Sequence, residues 1–285
     1  MWGVILQDLA TLYPQKTWSV VNQQFSADQG QLAFAHANTL LALTKERQQP
    51  IIHFWTLEKT VILGMMDTKL PELTAATDQL TAAGYHYFVR NAGGLGIVAD
   101  TGILNLGFYL PEVADHLSIN AAYELMKTLF SETFNTSNIT IEHFEVQHSY
   151  CPGEYDLSIN GQKFAGIAQR RSKNGIAILL YASIEGDQQA RGTLMQHFYQ
   201  AGKAQQQTRW TFPDVHPETM ANLADLLHQP LTVASVSQQL SASLQSNSGL
   251  TLQSDLQTLM QEADYQTQLT KNTQLLRRYQ PGYQP

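Results

Sequence analysis

Apolar positions along the chain change period several times, and the changes mark out the elements. Ser26 has the character of a helix N-cap. Leu32, Phe34, Ala35, Thr39 and Leu43 follow it as the inward face of a helix ending near Lys45. Residues 51–57 and 60–65 read as two strands paired across a turn at Glu58-Lys59. Pro71 suits a helix first turn, and Gly84 stops that helix. Residues 85–89 read as the next strand, and 103–110 as another. Ser118 caps a helix to about Phe134, with Ala122, Leu125, Met126 and Leu129 on one face. Residues 139–146 read as a further strand, and residues 1–24 hold at most an edge strand or turn.

The stretch 149–171, SYCPGEYDLSINGQKFAGIAQRR, carries the sharpest local signal. Residues 156–159 read as a short strand. Asn160-Gly161 then predicts a two-residue type I′ turn, which needs positive φ at both central positions. The return strand runs from Gln162 to about Arg171. Asn174-Gly175 leads into the apolar run 176–184, so the three strands form a meander. Strict alternation puts Lys163, Ala165, Ile167 and Gln169 on one face of the middle strand, and Phe164, Gly166 and Ala168 on the other.

After a helix at 188–199 the chain changes character. From about Ala204 glutamine and serine are frequent, and 215–228, 233–244 and 252–278 read as helices. Strands meeting in hairpins with helices at irregular intervals predict an α+β fold. Its sheet is antiparallel or mixed and flanked by helices, with a helical extension at the C-terminus. A soft boundary near Ala204 divides the chain into 1–203 and 204–285.

Composition narrows the function. The chain has 285 residues, 17 Lys and Arg against 24 Asp and Glu, and a net charge of −7. That balance argues against a general nucleic-acid binder, although Arg170, Arg171 and Lys173 cluster. No apolar run approaches the ~18 residues of a membrane span. Residues 1–16 show no basic segment followed by a cleavage site, so no secretory signal is expected. A single cysteine cannot form an internal disulfide, which suits a reducing cytosol and a cytoplasmic protein.

That cysteine, Cys151, is the first candidate for chemistry. A lone cysteine is most often a small buried hydrophobe. Here Pro152-Gly153 follow it and favour a turn, its surroundings are polar, and Lys163 lies just past the hairpin on a strand of small residues. Thiol and amine can therefore meet in one pocket. Gly93-Gly94 is the second candidate. A glycine pair permits close backbone approach to a ligand and exposes N–H groups, or it makes a plain tight turn. His143 and His148 offer a Cys-His pair as a lesser alternative. No His, Cys and carboxylate group has metal-ligand spacing, so no metal is expected.

RNAGGLGIVADTGILN (90–105) resembles the glycine-pair motif of the lipoate–protein ligase, biotin protein ligase and octanoyltransferase superfamily. CPGEYDLSINGQKFAGIAQRR (151–171) resembles its second signature of hairpin, lysine and small residues. The match is closest to the octanoyl-[glycine cleavage H protein]:protein N-octanoyltransferases. Ligases and the carrier-protein octanoyltransferases usually show a double arginine before the glycines and His-Asp after them. This chain has Val89-Arg90 and Ala99-Asp100, with Leu95 after the glycine pair.

The resemblance implies an acyltransferase of protein lipoylation occupying 1–203. It makes Cys151 the nucleophile that carries octanoyl as a thioester, with Lys163 as its helper. It places Arg90, Gly93, Gly94, Leu95, Asn105, Ala165 and Gly166 against the substrate, and amides near Gly166 or Ile167 as the oxyanion hole. The partners implied are the glycine cleavage H protein as donor and lipoyl domains of 2-oxoacid dehydrogenase acyltransferase subunits as acceptors. No cofactor is implied beyond the bound acyl group. Burying about seven methylene or methyl carbons at ~0.8 kcal/mol each calls for a narrow apolar tunnel worth about 5 kcal/mol. The alternatives are an ATP-dependent lipoate ligase, an acyl-carrier-protein octanoyltransferase, and a lipoyl-domain binding module without catalysis.

Overall fold

The structure is a computed structural model that describes residues 6–112, 117–173, 175–203 and 209–282. Asn174 and Ala204, at the second expected turn and the expected boundary, lie outside the described residues. In chain order the elements are α1 (Leu9–Leu12), β1 (Thr17–Phe25), α2 (Gly30–Arg47), β2 (Ile51–Leu57), β3 (Thr60–Leu63), α3 (Leu73–Ala82), β4 (His86–Val89), β5 (Ile97–Ala99) and β6 (Ile103–Pro111). There follow α4 (Ile119–Phe134), β7 (Glu142–His143), β8 (Asp156–Ile159), β9 (Gln162–Ser172), β10 (Gly175–Ser183) and α5 (Gln188–Lys203). The chain closes with α6 (Leu223–Leu227), α7 (Val233–Ser248), β11 (Thr251–Ser254), α8 (Leu256–Gln261) and α9 (Ala263–Arg277).

Eight strands form one mixed sheet in the order β11-β1-β2-β6-β10-β9-β8-β7, and β4-β3-β5 form a smaller one. The α+β reading with a mixed sheet flanked by helices therefore holds. Apolar side chains alternate cleanly on the large sheet. Ile52, Phe54, Leu104, Phe108, Ile176 and Ile178 face α4 and α7 in one core. Val21, Ile51, Tyr109 and Ala177 face α2 and the C-terminal helices in another. Both faces are thus covered, which is why nearly every residue of β6 and β10 is buried.

Three local readings are corrected. Strands β2 and β3 do not pair, because β2 is already flanked by β1 and β6, and β3 joins the small sheet. Residues 215–228 are not one helix: Pro217–Thr219 make a single 3₁₀ turn and only Leu223–Leu227 are α-helical. The expected helix at 252–278 is interrupted, since Thr251–Ser254 pair in parallel with β1 and Glu262 is extended between α8 and α9. The meander of β8, β9 and β10 forms as expected, with Asn160 at φ 51° and Gly161 at φ 80°. The described residues from 209 onward are woven into the whole. They add β11 to the edge of the large sheet, pack α7 on α4, and lay α9 along α2.

Candidate active site

Cys151 stands in the loop between β7 and β8 with φ +50°, a left-handed conformation that costs a non-glycine residue free energy. Contacts on both sides hold it there. The Asp156 carboxylate, at the start of β8, accepts N–H groups from Val146 at 3.3 Å and Gly153 at 3.1 Å. These donors bracket Cys151. Lys163 Nζ donates to Asp156 Oδ1 at 2.9 Å, to the Cys151 carbonyl at 2.8 Å and to the Tyr150 carbonyl at 3.2 Å. It also lies 3.3 Å from Ser149 Oγ and over the Tyr181 ring. The Lys163 and Asp156 side chains are only 1% and 2% exposed, so this is a buried ion pair with its donors spent on the loop. Burial pushes the Asp156 carboxyl above the usual range, and the Lys163 ammonium pulls it back. Asp156 was not singled out from sequence. Its only signal was a carboxylate leading an apolar strand.

Lys163 reaches the loop because β9 carries a bulge. Leu157 pairs with Ala165 and Ser158 with Lys163, leaving Phe164 as an extra residue. The extra residue shifts the alternation by one. Lys163 and Gly166 then face the site, while Phe164 and Ala165 turn into the α4 core. Ala165 therefore does not line the cavity, contrary to the strict alternation expected above.

The glycine loop closes the other side. A Cβ placed on Gly94 (φ +82°) would stand 4.0 Å from Cys151 Sγ and 2.8 Å from Arg90 Nη2. Each of the four carbonyls of residues 92–95 accepts a hydrogen bond. Met65 and Met66 N–H donate to Ala92 and Gly94 O at 3.1 and 3.3 Å. Arg90 Nη2 donates to Gly93 and Leu95 O at 2.9 and 3.1 Å. Among the described residues, the N–H groups of Gly93, Gly94 and Leu95 have no acceptor. Successive free amides of this kind form an anion-binding nest. Arg90 thus shapes the loop. The Leu95 side chain packs into the core of the small sheet instead of lining the cavity. Gly166 sits in the ladder between Asp156 and Tyr181 and lines the same cavity as the glycine loop.

A cavity of about 380 Å³ runs from Cys151, Gly93, Gly94 and Gly153 between α2 and the sheet. Its walls are Phe34, Ala37 and Leu41 of α2, Trp55 and Ile62, and the row Gly166, Ala168 and Ala177. Asn105 also lines it, with its Nδ2 directed at the Trp55 carbonyl. Small residues on β9 and β10 leave the room, and apolar side chains of α2 roof it. The arrangement gives a thiol at the mouth of an apolar slot, with backbone donors beside it.

The profile of the lipoyl protein ligase A/B catalytic domain family matches residues 29–245. The chain belongs to this family. The match crosses residue 204, in keeping with a C-terminal region packed into the fold. A lipoyl-[GcvH]:protein N-lipoyltransferase of Listeria monocytogenes is 42% identical over 78% of this chain and 81% of its own length. An octanoyl-[GcvH]:protein N-octanoyltransferase of Lysinibacillus sphaericus is 40% identical over 80% and 83%. Among solved structures, a lipoate–protein ligase A bound with ATP covers 90% of this chain and 94% of its own at TM-score 0.69 and 13% identity, a likeness of fold.

The histidines near Cys151 serve elsewhere. His143 stacks on Tyr155, which stacks on Tyr123. His148 Nδ1 meets the Asp214 carbonyl at 3.0 Å, and its ring stacks on His216 with centroids 4.2 Å apart. His148, Asp214 and His216 bring donor atoms within 4.8 Å, a grouping the sequence spacing did not show. Stacked rings do not aim both lone pairs at one point. No helix among the described residues is long and apolar enough to cross a membrane.

Proposed function

We propose that this chain transfers an octanoyl group from the lysine of an octanoylated glycine cleavage H protein to the lysine of a lipoyl domain, through a thioester on Cys151. The observation that carries this reading is the sulfur of Cys151 set against Gly94 at the mouth of an apolar cavity. The relatives' names supply the acyl group and the donor.

In the first half the Cys151 thiolate attacks the carbonyl carbon of the octanoyl amide. A C–S bond forms, and the carbonyl electrons move to oxygen. The free amides of Gly93, Gly94 and Leu95 are the donors we assign to that oxyanion. Collapse breaks the C–N bond, and the proton given up by the thiol ends on the departing lysine amine. In the second half the acceptor amine attacks the thioester carbonyl, the C–S bond breaks, and the proton shed by the amine returns to the Cys151 sulfur. One amide replaces another, so the exchange requires neither ATP nor a metal in this reading. Lys163 acts by holding the Cys151 backbone, and Asp156 by holding Lys163 and the turn. The octanoyl chain lies in the cavity beneath α2.

The test is incubation with octanoylated H protein and an unmodified lipoyl domain, without ATP, read by intact mass. The lipoyl domain should gain the octanoyl mass that the H protein loses, and quenched enzyme should carry it on Cys151. Modification only with free octanoate and ATP would overturn the reading in favour of a ligase. The Listeria relative's name favours lipoyl as a second acyl group, so lipoylated H protein belongs in the same assay.

A further inference from the structure

Behind the glycine loop lies a polar group that the proposed chemistry does not touch. Asp67 is fully buried, just after β3. Its Oδ2 accepts the N–H of Gly64 at 2.7 Å, and its Oδ1 accepts the hydroxyl of Tyr199 from α5 at 2.9 Å. The Tyr199 oxygen in turn accepts the N–H of Gly96 at 3.1 Å. Gly64 and Gly96 flank the loop on its two supports. Gly64 begins the 64–66 segment whose amides seize the carbonyls of Ala92 and Gly94. Gly96 is the residue on which the loop ends. The fit is close: a Cβ on Gly64 would fall 2.0 Å from the Gly94 oxygen, and one on Gly96 would fall 2.9 Å from Met195 Cε.

We propose that Asp67, acting through Tyr199, is a positioning residue for the acyl-transfer step. The pair clamps both supports of the glycine loop, so that the loop carbonyls stay tied to their donors and its amides stay turned toward the reacting carbonyl. The inference rests on the oxyanion role given to the loop above. A carboxylate suits the task because it accepts two strong hydrogen bonds at once. Burying it is costly, and burial pushes its carboxyl up to about 6, against the pull of the Gly64 and Tyr199 hydrogen bonds and of Arg90. The charged and titratable groups facing this cluster are Tyr199 from α5, Arg90 from the end of β4 and Cys151 across the loop.

Two reactions of Cys151 separate the clamp from general damage. Acylation by p-nitrophenyl octanoate passes through an oxyanion: the C–S bond forms, the carbonyl oxygen takes the charge, and collapse expels p-nitrophenolate. Alkylation by iodoacetamide expels iodide in one displacement and forms no oxyanion. The ratio of the two rates therefore cancels the thiol's own titration. Tyr199→Phe and Asp67→Asn should lower the ratio at least ~10-fold while alkylation stays within about twofold, since a lost oxyanion donor costs ~10²–10³. In the wild type the ratio should fall as the pH drops through about 6, where Asp67 takes up a proton. In Asp67→Asn it should be low and flat. Tyr199→Phe removes one hydroxyl and keeps the ring packed on Phe198 and Phe212, so it decides the matter should Asp67→Asn not fold. Ratios unchanged in Tyr199→Phe, with a wild-type profile flat through pH 6, would overturn the clamp and leave the acyl-enzyme reading standing. A wild type that alkylates but never acylates would overturn both.

Discussion

Lys163 meets Cys151 at the backbone: its ammonium donates to the Cys151 carbonyl oxygen at 2.8 Å while the same nitrogen pairs with Asp156 at 2.9 Å. The lysine fixes the turn that presents the thiol, and a carboxylate fixes the lysine. Removing Lys163 leaves a buried carboxylate without its partner, which typically costs 3–5 kcal/mol. Lys163→Met should therefore lower the denaturation midpoint sharply. Lys163→Met combined with Asp156→Leu should regain much of that stability and none of the transfer activity. Urea titrations of the single and double variants give the coupling energy. Additive losses would mean that the two side chains act independently.

Cys151→Ser should abolish octanoyl transfer with the fold unchanged, because the exchange is nearly isosteric and the site is partly open. The measurement is the mass of the lipoyl domain after incubation with octanoylated H protein. Transfer at the wild-type rate would remove Cys151 from the mechanism.

Gly94 sits at φ +82°, where a side chain costs roughly 1–2 kcal/mol in backbone strain, and its Cβ would meet Arg90 and face the sulfur. The intrusion is at the reacting end of the cavity. Gly94→Val should thus reduce transfer at least ~10-fold for short and long acyl chains alike. A loss confined to octanoyl would place Gly94 along the chain instead.

Ala168 lines the cavity one strand repeat beyond Gly166. A phenylalanine there fills the slot. Denying burial to the outer three or four methylenes removes about 3 kcal/mol at ~0.8 kcal/mol each, roughly 100-fold. Ala168→Phe should lose octanoyl transfer to that extent and keep butyryl transfer. Competition between the two acyl donors reads this directly.

His36 is buried under α9, hydrogen-bonded to Tyr265, and burial pushes its imidazole down to about 4. The unfolded chain takes up this proton near pH 6.5, so stability is lost as pH falls from there toward 4, by up to about 3 kcal/mol. Asp67 works oppositely, because its raised carboxyl lets the folded chain keep a proton up to about pH 6. His36→Gln keeps a hydrogen-bonding group and does not titrate. Its stability should change less than the wild type's between pH 7.5 and 5 in urea titrations. Equal slopes would show that His36 contributes nothing to acid sensitivity.

Much of the fold and part of the site were legible in the chain itself. Period-two runs, Asn160-Gly161 and the Ser118 cap fixed the meander and α4, because those signals act over a few residues, while Ser26 heads the 3₁₀ turn at 27–29 that leads into α2. Cys151, Gly94 and Lys163 stood out by residue type and spacing. The pairing of β2 away from β3, the strand inside the expected C-terminal helix, and the burial of Ala165 were settled by the tertiary structure. Each depends on which edges and faces remain free once distant strands have paired. The same holds for the supports of the site. Asp156 becomes the centre of the cysteine turn only when a bulge at Phe164 swings Lys163 onto it. Asp67 and Tyr199, 132 residues apart, have no local pattern to mark them. A buried carboxylate is tolerated only where donors from remote segments converge on it, and the sequence does not specify that convergence one residue at a time.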